Sequence, residues 1–305
     1  MKSKIISVII VGFWLVMMFT LVKDHILMSA NMEPVNLTTE WRDQEEWMQL
    51  FYKGLPIGAI HTSIIRETPD SGYILRTRLL VRINLLGLKN DIQLVAGAIM
   101  DKAFILQKFL AQFNMNEKKW TVKGLVDEKT LYYMIDDGTG KIVSAAELQR
   151  PPSMLEAVRS TIGKNISLEV GKVYKIPAFD PIWGGGGGII RVKVAAKEKI
   201  SPSVNETPVE AYRIETTFNN MTTVSWVNES GETLMRQIFP DLFMRNAEPD
   251  AIKKKYDDFA EPIPTPGPMN LEDFSGELSG ETLQGRGLQG VFEALFMKNQ
   301  EDQEN

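Results

Sequence analysis

The sequence predicts a mainly β fold: a curved antiparallel meander, half-barrel or sandwich, with one short inserted helix and one transmembrane helix in front. Three observations predict it. Apolar and polar residues alternate with period two over long stretches. Turn residues of the hairpin kind separate those stretches. No strand–helix–strand repeat appears, which disfavours a doubly wound nucleotide fold.

The chain starts differently from the rest. Lys2 and Lys4 precede an almost unbroken apolar run over residues 5–22, closed by Lys23 and Asp24. A run of about 18 apolar residues is the length that crosses a bilayer core as a helix. Basic residues ahead of it keep Met1 in the cytoplasm and send the remainder across, by the positive-inside tendency. The alternative is a cleaved signal peptide, whose apolar region is shorter and ends at a small-x-small site. Ser29-Ala30 is the nearby candidate, with Met28 fitting poorly three places before the cut. Residues 1–24 are therefore expected to be a signal anchor in the bacterial inner membrane, residues 25–44 a stalk, and residues 45–248 a β-rich periplasmic domain.

Within that domain Tyr73, Leu75, Thr77, Leu79, Val81 and Ile83 define one largely apolar face, and Arg76, Arg78 and Arg82 point the other way. Ile190, Val192, Val194 and Ala196 alternate with Arg191, Lys193 and Lys197 in the same fashion. Ile105, Phe109, Ala111 and Phe113 mark another strand, and Trp120 and Val122 begin the next. Such runs read as strands with one buried and one wet face. Residues 131–135, Leu-Tyr-Tyr-Met-Ile, are apolar in both directions, and parts of residues 104–110 are too. That fits a sandwich core or a sheet that cradles a lipid. Asp70-Ser71-Gly72, Asp137-Gly138 and Glu229-Ser230-Gly231 are turn signals.

One helix is expected inside the sheet. Ser153 to Glu156 has the capping-box pattern, Leu155, Val158 and Ile162 fall on one side, and Gly163 supplies the stop. After Ala247 the composition changes. Residues 251–259 read as a short charged helix. Residues 261–268 carry four prolines, which lack backbone donors, so they read as an extended linker. A Gly-, Glu- and Ser-rich segment follows, and Leu288, Val291, Phe292, Leu295 and Phe296 recur at helical spacing. Residues 249–305 are thus expected to be a linker and mobile tail ending in a small amphipathic helix. That helix folds back on its own domain or docks in a partner groove.

Composition removes several chemistries. There is no cysteine, so no disulfide, thiolate nucleophile or lipid-anchored cysteine is available. Net charge is −5, against the basic field of a nucleic-acid binder. The two histidines, His25 and His61, make a histidine metal site or triad an unfavoured expectation. No cofactor or metal is expected. Trp183 followed by residues 184–188, all glycine, lacks the Lys-Ser/Thr pair and following helix of a phosphate loop, and a strand follows instead. Asp180 reads as a turn residue before Pro181, and Asp136 and Asp137 as hairpin neighbours whose carboxylates diverge. His61 reads as an ordinary sheet histidine, with no partner or cleft visible. The Arg76, Arg78, Arg82 ladder is a candidate surface for carboxylates or phosphates of glycans, lipid headgroups or an acidic partner. Its alternative is a solvated face paired with acids on adjacent strands.

Residues in a familiar order now add a resemblance. Glu46-Trp47-Met48, Tyr52, Gly54, Ile57-Gly58 and Thr62 open the domain. Val170-Gly171, Tyr174 and Phe179-Asp180-Pro181 follow, and Val209, Ala211-Tyr212 and Trp226-Val227-Asn228-Glu229-Ser230-Gly231 close it. Over residues 45–245 this resembles the β-rich amino-terminal domain that precedes the catalytic core of bacterial exported transglutaminase-like proteins. It is also similar to periplasmic half-barrel domains of unknown function. The resemblance implies an accessory domain in the envelope. It does not carry over the family's activity, which needs a cysteine nucleophile this chain lacks. The functional expectation is a membrane-anchored, non-catalytic binding module. Its partners would be inner-membrane lipid through the N-terminal helix and an envelope protein, with lipid or glycan possible and nucleic acid excluded. The alternatives are a half-barrel carrier or binder of lipid or anionic glycan, and a hydrolase with an unrecognised carboxylate site.

Overall fold

The computed structural model describes residues 32–34, 43–66, 72–85, 88–115, 118–148, 153–154, 162–179, 188–201, 207–218 and 221–274. The expected anchor and the helix carrying Leu288 to Phe296 lie outside them. Among the described residues no helix is long and apolar enough to cross a membrane.

Period-two sequence becomes strand throughout. Eight strands form one antiparallel run: β2 (Gln44–Tyr52), β3 (Leu55–Arg66), β4 (Tyr73–Leu85), β5 (Leu88–Met100), β6 (Leu106–Met115), β7 (Lys118–Asp127), β8 (Thr130–Asp136) and β9 (Lys141–Glu147). Six more form a second: β11 (Val173–Phe179), β12 (Gly188–Ile200), β13 (Val209–Phe218), β14 (Met221–Val227), β15 (Thr233–Phe239) and β16 (Leu242–Asn246). The seam joins the last strand to the first, with Leu242 opposite Tyr52 and Asn246 opposite Met48. The result is a 14-strand antiparallel open sheet. Two short strands, β1 (Met32–Pro34) and β10 (Ser153–Met154), pair with β11 in parallel.

Register shifts in β2–β3, β14–β15 and β15–β16 mark bulges, which add bend and twist. The sheet curls around its inner face. Ile64, Tyr73, Phe109 and Leu131 from one run join Tyr174, Ile190, Val192 and Ile214 from the other in a single buried cluster. A second cluster of Met48, Leu50, Ile60 and Met244 lies further along the same face. Between them sits a polar layer: Thr62 on β3, Thr77 on β4, and Arg236, whose guanidinium lies 3.5 Å from Glu46. Phe109 stands opposite Gly124, and any side chain at Gly124 would collide with its ring. Glycine there makes room for the aromatic.

The hairpin signals hold at Asp137-Gly138, where Gly138 has φ +83° and the Asp137 carboxylate accepts from the amides of Thr139 and Gly140. The Thr139 hydroxyl, donating to the same carboxylate at 2.8 Å, and then those amides hold Asp137 below the ordinary carboxylate range. Gly231, at φ +80°, turns β14 into β15. The first hairpin is a two-residue turn, Lys53 at φ 49° and Gly54 at φ 80°, the conformation that follows strand twist.

The expected ends of the inserted helix need correction. Ser153 is not an N-cap: it lies in β10, opposite Ala178 of β11. Residues 155–161 lie outside the described part, and residues 162–165 form one helical turn. Gly163 sits inside that turn, not at its stop, where its backbone lies against that of Gly231 too closely for a Cβ on either. A capping-box pattern is short enough to fall on a strand residue, as Ser153 does here.

The carboxyl-terminal part also differs from a free linker. Helix α1 (Pro249–Lys255) and a 3-10 turn (Asp257–Ala260) bury Ile252, Tyr256 and Phe259 on Trp47, Ala59 and Leu80 of the outer face. Residues 261–268 are extended, as four prolines demand, but they lie along the sheet. Gly97 allows this, since a Cβ there would meet the Pro264 carbonyl oxygen at 2.5 Å. The strap ends in a second 3-10 turn (Leu271–Phe274), where Phe274 covers Met134 and Val143. So the two-sided apolar pattern of residues 131–135 reflects a filled interior on one side and the strap on the other.

Candidate functional site

The strap and the outer faces of β2, β3 and β4 enclose a cleft of about 470 Å³. Register places its residues in two rows. Trp47, His61 and Arg78 stand opposite one another, as do Glu45, Ser63 and Arg76. They face outward because their neighbours Met48, Ile60 and Leu75 face the interior.

The rings of Trp47 and His61 stack, with centroids 3.7 Å apart and planes 13° from parallel. Lys253 of α1 sits 5.1 Å over the Trp47 ring. His61 Nε2 lies 2.8 Å from Glu45 Oε1, so that nitrogen carries the proton and donates it. Burial pushes the His61 pKa below its ordinary 6.5. Glu45 opposes that shift through charge and hydrogen bond, while Lys253 and Arg78 add to it. The contact at neutral pH is thus a hydrogen bond from a neutral ring to a carboxylate.

A pH dependence follows from the sign of that shift. The unfolded chain binds the proton more tightly, so His61 stabilises the fold fully above pH 6.5, and this is lost as pH falls through the folded-state value. Urea unfolding free energy is expected to fall more steeply between about pH 7 and pH 5 in the natural chain than in His61→Gln. Equal slopes would assign that loss to other groups.

The arginines divide the work. Arg78, only 2% exposed, donates through Nη1 to the Asp258 carbonyl and through Nη2 to the Pro262 carbonyl at 3.4 Å. Burial lowers its pKa, and the charges of Glu261 and Asp258 act against that. Arg82 reaches the Asp258 carboxylate at 2.8 Å and lies 4.0 Å from Asp91 on β5. Both therefore fasten the strap. Arg76 is different. Its Nε and Nη2 donate to one neutral hydroxyl, Thr265 Oγ1, at 3.3 and 2.9 Å, and it has no carboxylate partner among the described residues. Of the acids lining the cleft, Asp43 accepts the Arg66 amide at 3.0 Å and Glu45 holds His61, while Glu261 acts on Arg78 through its charge. Trp47 Nε1 and Arg78 Nε are buried donors with no acceptor among the described residues. Both atoms are closed to solvent, so the charged donors that line the cleft within a ligand's reach are those of Arg76 and Lys253. Among the described residues His61 hydrogen-bonds no hydroxyl, so it forms no base–nucleophile pair in this arrangement.

Of the sequence-derived candidates, Arg76, Arg78 and Arg82 come together on one face. Leu288, Val291, Phe292, Leu295 and Phe296 lie outside the described residues. The expectation that His61 lacks a partner and a cleft is corrected: Glu45 is the partner, and the strap builds the cleft. The two-residue turn at Lys53-Gly54 by itself would set Trp47 opposite Ile60; a bulge at Ile57 moves the register by one and brings His61 opposite Trp47, which no turn signal announces.

No protein-family model and no curated protein matches this chain. Among solved structures it is similar to a β-barrel-like protein of the domain of unknown function DUF1849 from Brucella abortus. That likeness has 10% identity, covers 67% of this chain and 93% of that one, and has a TM-score of 0.46. A DUF1089 family protein from Pseudomonas aeruginosa is similar at 14% identity over 64% of this chain and 89% of that one, with a TM-score of 0.29.

Proposed function

We propose that this chain is a membrane-tethered, non-catalytic binding module of the bacterial envelope, and that its outer-face cleft takes an anionic group, best a carboxylate of a glycan. The observation that carries the reading is Arg76: a half-buried guanidinium in a cleft, held by a single neutral hydroxyl. A guanidinium fork matches a carboxylate in two parallel bonds, and the Trp47–His61 stack beside it offers an apolar face for a sugar ring. The cleft volume falls in the range of small-molecule sites. Lipid carriage in the curled sheet draws less support, because Phe104, Leu106, Phe109 and Ile190 fill the interior.

The tether, the periplasmic location and an envelope protein partner rest on Lys2, Lys4 and the apolar run over residues 5–22. Kinship with the accessory domain of exported transglutaminase-like proteins belongs to the same proposal and rests on the residue order given above.

The test is calorimetric titration of the full chain in detergent with trigalacturonate, with maltotriose as the uncharged reference. Saturable binding of the acidic sugar alone, weakened at least about tenfold in Arg76→Gln, is expected; tenfold corresponds to about 1.4 kcal/mol. Undetectable binding, or equal affinity in the variant, would remove the cleft as the site.

A further inference from the structure

One end of the curled sheet is built from hairpin tips, and two adjacent tips share an unusual design. The β2–β3 tip presents Leu55, 69% exposed, followed by Pro56, and the β15–β16 tip presents Phe239, 55% exposed, followed by Pro240. The seam between β16 and β2 sets these tips side by side, and the Lys53 amide donates to the Asp241 carbonyl at 2.9 Å, tying them together. At the same end the last pair of β4 and β5 is Leu85 opposite Leu88.

We infer that this rim is a contact surface for a lipid bilayer, dipping Leu55 and Phe239 into the interface. The inference rests on the proposed tether, which holds the domain near a membrane. Three observations favour lipid over a protein pocket. The apolar side chains stand on protruding tips and not in a groove, so they suit a deformable medium. Each is followed by a proline, which has no amide donor, and the linking bond satisfies the Lys53 donor. Backbone donors entering an apolar medium would otherwise be left unmet. Lys53 lies 5.4 Å over the Tyr52 ring, an aromatic-plus-basic pair of the kind that sits at headgroup level. Asp241 offsets Lys53, so the attraction is apolar burial and not net charge.

The tether is long enough. Extended, residues 24–31 reach about 28 Å. The seven residues of β11, beside which β1 lies, span about 23 Å. A chain leaving the bilayer at Asp24 can thus climb the side of the sheet with this rim facing the lipid.

The absence of cysteine makes the test clean. Leu55→Cys, Phe239→Cys and, at the opposite end, Val170→Cys are each labelled with an NBD fluorophore. The full chain is then reconstituted in phosphatidylcholine–phosphatidylglycerol vesicles with or without doxyl-labelled lipid. The labels at 55 and 239 are expected to shift to the blue and to be quenched at least about twofold by doxyl lipid, with no quenching at 170. If 55 and 239 are quenched no more than 170, the rim does not meet lipid. Flotation of the same vesicles separates the two readings. Protein that floats without quenching at the rim overturns this inference and leaves the tether standing; protein that does not float overturns both.

Discussion

Arg78→Ala is expected to lower the unfolding free energy by about 2–3 kcal/mol and to release the strap over residues 258–266. The guanidinium donates to two strap carbonyls from a position almost closed to water. Removing it leaves Asp258 and Pro262 carbonyls without their charged donor and opens a void beneath the strap. Arg78→Lys is a poor rescue, because one ammonium does not reproduce a planar fork between two acceptors. Urea unfolding measures the loss, and limited proteolysis of residues 258–266 reports the release. Gly97→Val attacks the strap at a neighbouring contact, from the sheet side. Valine suits a strand, so the sheet persists while the Pro264 carbonyl is pushed away, at a cost of about 1–3 kcal/mol. Should both variants unfold like the natural chain with the strap still protected, the arginine clamp is not what holds it.

Phe109→Ala is expected to cost more, about 3–5 kcal/mol. The ring is 1% exposed and belongs to the cluster that joins the two runs of strands across the interior. It also covers Gly124, whose lack of a side chain leaves nothing to fill the space once the ring is gone. Phe109→Leu keeps most of the volume and should recover at least half of the loss. Thermal unfolding compares the pair. A loss below about 1 kcal/mol for the alanine variant would mean the interior is not close-packed there.

The strands were legible because period two is local. Tyr73, Leu75 and Thr77 must share a face whatever lies around them, and Ile190, Val192 and Val194 are fully buried as the pattern required. The strap was not legible, because four prolines give extended backbone equally well in a free linker and on a sheet. What decides between them is non-local: Trp47, Leu80 and Met134 face outward and need a cover. Two hints were present in the chain, the two-sided apolar run at residues 131–135 and a glycine, Gly97, inside a strand. The cleft would be legible only through register. The two-residue turn at Lys53-Gly54 alone would set Trp47 opposite Ile60; only the bulge at Ile57, which no local signal announces, makes Trp47 face His61 and Glu45 face Ser63. Arg76, Arg78 and Arg82 look equivalent in sequence. Their different fates depend on where Asp258, Pro262 and Thr265 come to lie, which no spacing on β4 encodes.

The claim on which the account turns is that binding occurs on the outer face, beneath the strap, and not inside the curled sheet. Hydrogen exchange of the full chain, with and without saturating trigalacturonate, reads this directly. Slower exchange in β2, β3 and residues 259–265, with β12 and β13 unchanged, is the predicted result. Protection gained in β12 and β13 while β2 and β3 stay as they were would contradict it.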